Sequence, residues 1–266
     1  MFDLSNKVIV LVGGNGILGS NIFETFIKKE SRVAVIDGYF DRVDKIINLN
    51  KSSTKNNLKI RTNITKENEV QNSLKKILKK WKKVDVLVNF THYKGNSNSL
   101  RPKADFFSSL ENYPFHEWKK TLDVNLNGLF LTTQIFGRQM IKQKYGVIIN
   151  ISSTYGIISP RKDIYGDSGI NSPVGYAATK AAIINFTRYV STHWAKYGIR
   201  ANVLSPGGIE NINQSKDFKK LYKKNTPLNR MASEKDFNGA LVFLASDESS
   251  YMTGSNLIID GGWTAW

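Results

Sequence analysis

The sequence predicts an α/β fold in which a doubly wound parallel sheet has helices on both faces. Short apolar runs rich in β-branched residues alternate with amphipathic helical stretches along the chain, and this alternation is typical of strand–helix–strand units with right-handed crossovers. A strand of a parallel sheet is buried on both faces, which is why its run is continuously apolar. The predicted strands are residues 7–12, 32–36, 58–61, 84–88, 146–151, 199–204 and 256–259.

Helical periodicity follows most of these strands, beginning with a helix directly after the first one. A chain of 266 residues can bury one sizeable core, and no linker, repeat or low-complexity segment divides it. We therefore expect a single domain over residues 1–266. The other predicted helices are residues 66–81, 114–121, 125–143, 174–195 and 233–245.

The composition excludes several classes of site. The chain has no cysteine, so disulfides, thiolate metal sites and cysteine nucleophiles are excluded. His92, His116 and His193 are too dispersed to indicate a metal cluster, and we expect no metal. The sequence has neither 18 consecutive apolar residues nor a signal-peptide pattern. From this we expect a cytoplasmic protein without membrane contact.

A formal net charge of +16 raises the alternative of a protein that binds nucleic acid or an anionic surface. The lysines fall mostly in helix-like surface stretches, such as residues 75–83 and 219–224, and no nucleic-acid-binding motif accompanies them. We therefore expect a solvated basic surface and no nucleic-acid partner. A weaker alternative is that the positive field attracts an anionic small substrate, such as a phosphorylated sugar.

A glycine-rich loop joins the first strand to the first helix. Its glycines permit a tight turn, close approach to a pyrophosphate and packing of the helix against the strand. The N-terminus of the helix presents free N–H groups to phosphates. The loop therefore predicts a Rossmann-type dinucleotide site with contacts from Gly13, Asn15, Gly16, Ile17, Leu18 and Gly19.

Asp37 ends the second strand, about 20 residues beyond the glycines. A carboxylate at this place accepts hydrogen bonds from the ribose hydroxyls of the adenosine and repels a 2′-phosphate. We therefore expect NAD as the cofactor, with NADP as the less favoured alternative because Arg42 is close in sequence.

Tyr176 and Lys180 are four residues apart in a predicted helix and so lie on one face. A phenol alone has a pKa near 10. A neighbouring ammonium favours the phenolate, which makes the pair an acid/base device. The spacing alone also occurs on ordinary solvated helices, but other polar residues follow predicted strands and share the same sheet edge. These are Asn63, Asn89, Ser153, Pro206 and Gly207.

Over essentially its whole length the chain resembles the short-chain dehydrogenase/reductase family. The matching motifs are the glycine loop, Asp37, Asn125 within residues 123–128, residues 149–153, Tyr176-x-x-x-Lys180, Pro206-Gly207 and Asp260-Gly261-Gly262. The resemblance implies that Tyr176 is the general acid/base and that Ser153 orients the substrate oxygen. It also implies that Lys180 lowers the pKa of Tyr176 and holds the nicotinamide ribose, while Asn125 supports a water-linked proton path. The further cofactor contacts that it implies are Asn63, Ile64, Asn89, Tyr176, Lys180, Pro206, Gly207 and Ile209.

The chain departs from the family pattern at three places. The glycine spacing is Gly-x-x-Gly-x-x-Gly, and residues 89–92 read Asn-Phe-Thr-His where the family usually has Asn-Asn-Ala-Gly. An insertion at about residues 160–172 separates Ser153 from Tyr176. It brings Tyr165 near the usual serine–tyrosine spacing, but Gly169 stands where that tyrosine needs its lysine, so Tyr176 remains the predicted acid/base.

The insertion and the closing residues 261–266 resemble a bacterial subgroup linked to surface polysaccharide and flagellin glycan biosynthesis. This implies a sugar, sugar-phosphate or nucleotide-sugar substrate, with a substrate loop at about residues 208–225. One alternative is a reductase of 3-oxoacyl groups on an acidic carrier protein, which the basic surface suits. Another is a non-catalytic cofactor-binding scaffold or basic binding protein.

The family resemblance also implies a homo-oligomer, a tetramer or a dimer, built from helices 125–143 and 174–195. A second contact is expected near the C-terminal strand. Trp263 and Trp266 are expected to be buried in that contact or over a neighbouring pocket. The alternative is that both fold back onto their own domain.

Overall fold

Seven parallel strands form one sheet in the computed structural model, which describes residues 1–49, 56–93, 95, 105–166 and 170–266. The strand order is β3-β2-β1-β4-β5-β6-β7, and the predicted doubly wound parallel sheet is confirmed. The strands are β1 Val8–Val12, β2 Arg32–Asp37, β3 Asn57–Arg61, β4 Val86–Asn89, β5 Gly146–Ile151, β6 Ile199–Pro206 and β7 Asn256–Ile259.

Helices pack on both faces of this sheet. They are α1 Ile17–Lys28, α2 Asp41–Leu49, α3 Glu67–Trp81, α4 Phe115–Leu122, α5 Gly128–Gln143, α6 Val174–Trp194, α7 Lys216–Lys224 and α8 Asn238–Ala245. Helix α2 is absent from the sequence-based prediction, and α7 is represented there only by the helix-like stretch of residues 219–224. A π-helical turn, Asp123–Asn127, joins α4 to α5. None of the helices that the structure describes is both long and apolar enough to cross a membrane.

The strand order reverses between β1 and β4, and this fixes where a ligand can bind. The chain adds β2 and β3 on one side of β1 and then returns to place β4 on the other side. In such sheets the crevice lies outside the carboxyl ends of the strands at the reversal. Val12 is level with Ile36 of β2 and Asn89 of β4, so the segments after these strands begin at the same height.

Each face of the sheet carries its own apolar core, because successive side chains of a strand point to opposite faces. Ile9 and Leu11 pack with Phe23 and Phe26 of α1 on one face. Val8, Val10 and Val12 lie in the other core with residues of α3 and α5, among them Ile77 and Phe136. Both cores are almost completely inaccessible to solvent. They hold the strand ends rigidly, so the loops that form the site start from fixed positions.

A third, smaller apolar cluster lies outside the sheet and joins three segments distant in sequence. It contains Ile164 of the insertion, Tyr222 of α7, Met231 and Trp263. Trp263 is 2% exposed and its ring stacks on Tyr222 with 4.2 Å between centroids. Trp263 therefore folds back onto its own domain, and its burial needs no contact with another subunit. Trp266 is 76% exposed, so for this residue the alternative of folding back onto its own domain is not met.

Candidate active site

A cavity of about 840 Å³ runs along the carboxyl ends of the strands, across the reversal of strand order. It brings together nearly all of the side chains predicted for the site. The predicted residues that line it are Gly13, Asn15, Gly16, Ile17, Leu18, Gly19, Asp37, Asn63, Ile64, Ser153, Tyr176, Lys180, Pro206, Gly207 and Ile209. Asn89 and Asn125 lie beneath the cavity wall and do not line it.

The glycine loop is fitted closely to its surroundings. Gly13 has a φ of +75°, and a Cβ there would lie 3.1 Å from the backbone nitrogen of Thr91. A Cβ on Gly19 would lie 2.6 Å from the Cα of Gly14, so α1 packs directly on the turn before it. No side chain caps α1 at Gly16. The first N–H groups of this helix therefore remain available for an anionic ligand such as a pyrophosphate.

Asp37 and Asn15 link the glycine loop to β2 and α2. The Asp37 carboxylate accepts hydrogen bonds from the backbone N–H of Asn15, at 2.9 Å, and of Gly38, at 2.7 Å. The side-chain oxygen of Asn15 accepts hydrogen bonds from the backbone N–H groups of Arg42 and Val43, at 3.0 and 3.1 Å. It thereby caps the N-terminus of α2, a role that sequence reasoning missed. The loop and the acid are thus locked in one arrangement.

Two features at this end of the cavity fit an adenosine. The Thr91 hydroxyl is buried without a hydrogen-bond partner among the described residues, and Thr91 lines the cavity. A buried polar atom of this kind is costly unless a ligand satisfies it. Asn63 is exposed at the cavity edge, where its side-chain oxygen accepts from the N–H and hydroxyl of Thr65, at 3.0 and 2.8 Å. The residues present therefore fit a dinucleotide.

The side chain of Asn89, which the sequence predicts as a cofactor contact, is hydrogen-bonded to other side chains of the protein. Its amide nitrogen donates to the side-chain oxygen of Asn150 at 2.8 Å, and its oxygen accepts from the Thr132 hydroxyl at 3.1 Å. Asn150 in turn donates to the Thr187 hydroxyl at 2.9 Å. All of these groups are buried. The side chain of Asn89 ties β4 to β5 and α5, because its position in the strand points it at the helices and not into the cavity.

The catalytic candidates lie near the middle of the cavity. Tyr176 is in the first turn of α6, and Ser153 follows β5, where its hydroxyl oxygen accepts from the Tyr155 N–H at 3.2 Å. Burial raises the pKa of Tyr176, while the Ser153 hydroxyl opposes that rise. Ser153 and Tyr176 line the same cavity.

Lys180 lies one turn further along α6 and is 2% exposed. Its ammonium donates to the carbonyl oxygen of Ile151 at 2.7 Å and lies 5.6 Å from the ring centre of Tyr176. Burial lowers the pKa of Lys180 to about 7. The pKa of Tyr176 is nevertheless raised overall, because the burial of the phenol outweighs the effects that lower it.

Asn125 lies in the π-helical turn between α4 and α5 and is completely buried. Its side-chain oxygen accepts from the Tyr93 N–H at 2.6 Å, and its nitrogen donates to the Thr179 hydroxyl at 3.0 Å. Thr179 precedes Lys180 in α6. The side chain of Asn125 therefore fixes the segment after β4 against the catalytic helix, and π-helical turns are frequent at functional sites.

Aromatic side chains dominate the other end of the cavity, and most of them were missed by sequence reasoning. The His92 ring packs edge-on against Tyr176, with 5.8 Å between centroids. Tyr155 and Tyr165 approach each other with their hydroxyls. Phe218, Tyr222 and Met231 also line the cavity. The i, i+3, i+4 spacing of Phe218, Leu221 and Tyr222 was the signal that could have predicted the inner face of α7.

The insertion and the segment after β6 meet at this aromatic end. Tyr165 of the insertion packs on Phe218 of α7 with 5.3 Å between centroids. The Gly208 N–H donates to the Tyr222 hydroxyl at 2.6 Å. This hydrogen bond links α7 to the segment that follows β6. Gly169 and the rest of residues 167–169 lie outside the described residues. Within the part of the chain that the structure describes, no three acidic or histidine side chains are grouped as metal ligands.

The chain is similar to known proteins over nearly its whole length. A family model described as enoyl-(acyl carrier protein) reductase matches residues 15–264. The chain is 32% identical over 271 residues to an NAD-dependent glycerol dehydrogenase of Listeria innocua serovar 6a, covering 99% of this chain and 96% of that protein. It is 28% identical over 262 residues to a post-translational flagellin modification protein A of Campylobacter coli, covering 98% and 99%.

A solved structure is similar as well. The crystal structure of a short-chain dehydrogenase of Leptospira borgpetersenii serovar Hardjo-bovis with bound NAD⁺ superposes with a TM-score of 0.86 at 35% identity, covering 98% of this chain and 94% of that one. Fold, site and comparisons together define a dinucleotide-dependent oxidoreductase. The chain belongs to the short-chain dehydrogenase/reductase family.

Proposed function

We propose that this protein interconverts a secondary alcohol and a carbonyl on a sugar-like, polyhydroxylated substrate, with NAD as the cofactor. One observation carries the proposal. Ser153, Tyr176 and Lys180 lie near the middle of one continuous cavity, and the glycine loop and Asp37 line one of its ends. The cavity thus joins a dinucleotide site to a proton-transfer site, and an oxidation of this type needs both.

When bound, NAD accepts the hydride in oxidation and its reduced form supplies it in reduction. The side chains of this protein move the proton. Tyr176 takes the hydroxyl proton of the alcohol or returns it to the carbonyl oxygen, and Ser153 donates a second hydrogen bond as charge develops on that oxygen. Lys180, in its ammonium form beneath the Tyr176 ring, stabilises the phenolate when the proton leaves. Asn125 keeps α6 in place for this exchange.

The lining of the substrate end supports a polyhydroxylated substrate. Its aromatic rings offer apolar faces, and the hydroxyls of Tyr155 and Tyr165 offer neutral hydrogen-bonding groups. We propose that the insertion at about residues 160–172 and the loop at about residues 208–225 form this side of the site within one domain. The similarity to a glycerol dehydrogenase and to a flagellin modification protein supports the same class of substrate.

One observation favours the acidic-carrier alternative and equally an anionic sugar derivative. Five lysines, at i, i+3, i+4, i+7 and i+8 of one helix, form the outer face of α7, whose inner face lines the cavity. They are Lys216, Lys219, Lys220, Lys223 and Lys224. Glu210 pairs with Lys219 and Lys223, at 3.4 and 3.1 Å. Helix α7 therefore carries a basic outer surface next to the substrate side of the described cavity.

The substrate class is tested by NAD⁺-linked oxidation of a panel of glycerol, hexitols, free hexoses and nucleotide-linked hexoses, followed at the absorbance of NADH. A parallel assay measures reduction of an acetoacetyl carrier protein with NADH and NADPH. We expect turnover on the polyol and sugar panel. Turnover of the carrier substrate alone would select the alternative, and NADH binding without turnover of any substrate would indicate a scaffold.

Asp37→Ala should weaken NAD(H) binding and narrow its preference over NADP(H). The substitution removes the carboxylate that repels a 2′-phosphate and the acceptor that holds the Asn15 N–H. Calorimetric titration of both reduced cofactors measures the difference in affinity between NADH and NADPH, in the unaltered protein and in the variant. A preference for NADPH in the unaltered protein would contradict the role of Asp37.

The protein should form a homo-oligomer, a dimer or a tetramer, through the outer faces of α5 and α6. Phe130 of α5 is 45% exposed and contacts Phe186 of α6, while Tyr189 of α6 is 61% exposed. A second copy related by symmetry would bury this aromatic face. Light scattering should give a mass above 30.0 kDa that falls in Tyr189→Asp and not in the control Tyr251→Asp. A monomeric unaltered protein would contradict the proposal.

A further inference from the structure

Two tyrosine hydroxyls meet at the substrate end of the cavity. Tyr155 lies in the turn after Ser153, and Tyr165 lies in the insertion. Their hydroxyl oxygens are 3.3 Å apart, and both residues line the cavity that holds Tyr176. The two segments are joined at this point by a side-chain contact between groups ten residues apart.

Both phenols remain neutral at physiological pH. Burial raises the pKa of Tyr155 and of Tyr165, although the Ser172 hydroxyl opposes the rise at Tyr165. A pair of neutral phenols has two O–H donors, and only one of them is used between the rings. The pair therefore presents a remaining donor together with acceptor lone pairs. A substrate hydroxyl, which also donates and accepts, matches these groups, whereas a methylene leaves them unpaired.

Packing holds Tyr165 in place. Ile164, its neighbour in the chain, is completely buried in the cluster that contains Trp263. The Tyr165 ring lies against Phe218 of α7. At the start of the same turn, Arg161 pairs with both carboxylate oxygens of Asp163, at 3.2 and 2.7 Å. A side chain held by packing loses little further conformational entropy when a ligand binds. Its hydrogen bond therefore distinguishes well between substrates that carry the matching hydroxyl and those that lack it.

We infer that Tyr155 and Tyr165 form a specificity pair that binds a substrate hydroxyl on the carbon next to the reacting carbon. The inference rests on the proposed function and deepens it by naming the group that the substrate carries. The pair stands beside the proton-transfer site, since Tyr155 follows Ser153 by two residues and both tyrosines line the cavity that holds Tyr176. A vicinal diol therefore reaches Tyr176 with one oxygen and the pair with the other.

The test compares propane-1,2-diol with propan-2-ol, two secondary alcohols on the same carbon skeleton that differ in the neighbouring hydroxyl. Tyr165→Phe and Tyr155→Phe keep the ring packing and remove one hydroxyl each. We expect each variant to lower kcat/KM for the diol by about tenfold, the loss typical of one hydrogen bond, and to leave kcat/KM for propan-2-ol within about twofold. The double variant should lose less than the product of the two single losses, because the residues act as a unit.

Control measurements separate this role from a structural one. Tyr251→Phe, at a fully exposed tyrosine, should change neither substrate, and NADH affinity should be unchanged in all variants. Equal losses on diol and mono-alcohol would mean that Tyr165 only supports the fold or is itself the acid/base, and would overturn the inference. Unchanged kinetics on the diol would overturn it too, with the proposed function intact. If the unaltered protein does not oxidise the diol, the inference fails, whereas the proposed function fails only if no member of the polyol and sugar panel is turned over.

Discussion

Tyr176→Phe should lower turnover by about 10²-fold or more while NADH affinity changes little. The phenylalanine keeps the ring that packs edge-on against His92 but has no proton to exchange, and general acid/base groups contribute about 10²- to 10⁴-fold. Steady-state kinetics on the best substrate of the panel, with NADH binding followed by fluorescence, measures both quantities. The loss should appear in kcat, because the missing interaction forms only as the proton moves.

Tyr165→Phe is the matched control for this result. Both tyrosines line the cavity, but only Tyr176 has a buried lysine close to its ring. The control should retain turnover of a simple secondary alcohol. Near-normal turnover of Tyr176→Phe together with a complete loss in Tyr165→Phe would assign the acid/base to the insertion.

Gly19→Ala should weaken NADH binding by more than tenfold and lower the free energy of unfolding by about 1–3 kcal/mol, the usual cost of overpacking. The new Cβ would lie 2.6 Å from the Cα of Gly14 and 2.8 Å from its carbonyl carbon and oxygen. These are backbone atoms, which cannot rotate away as a flexible side chain does. Relief requires the loop to separate from α1, and the loop forms the pyrophosphate side of the cavity.

Gly239→Ala is the corresponding control, since it makes the same substitution at the start of another helix, α8. Nothing lies within 4 Å of a Cβ at Gly239, and alanine is favoured over glycine in helices by up to about 1 kcal/mol. Urea unfolding should therefore show a slightly more stable protein with normal NADH binding. Similar losses in both variants would mean that the contact with Gly14 is not the cause.

The sequence predicted the strands and long helices well because each depends on a local apolar pattern. The helix that it missed, α2, and the helix that it indicated only in part, α7, are nine residues each and largely polar. Helix α2 begins where the Asn15 side chain caps it from another segment. Helix α7 is fixed by the stack of Tyr222 on Trp263. The cap of α2 is a tertiary contact that residue spacing does not reveal, and the apolar spacing in α7 does not reveal that Trp263 is its partner.

For the candidate site, too, one part could be predicted from the sequence and another could not. Residues placed by strand ends and by the glycine loop could be predicted, because the backbone of a parallel sheet brings them to one edge. The environment of each side chain could not. Asn89 uses its amide within the core, and burial shifts the pKa values of Tyr176 and Lys180 against the direction that a charge pair alone predicts. Desolvation depends on the surrounding packing, which the Tyr-x-x-x-Lys spacing does not contain.

The burial of Lys180 lowers the free energy of unfolding of the protein at neutral pH. In the unfolded chain this lysine has a pKa near 10.5, against about 7 in the folded protein. Between these values the unfolded chain binds one proton more at this side chain, so this group makes the free energy of unfolding rise with pH across that interval and leaves it level below. At neutral pH the buried Lys180 therefore lowers the free energy of unfolding, and a moderate rise in pH above about 7 restores part of it.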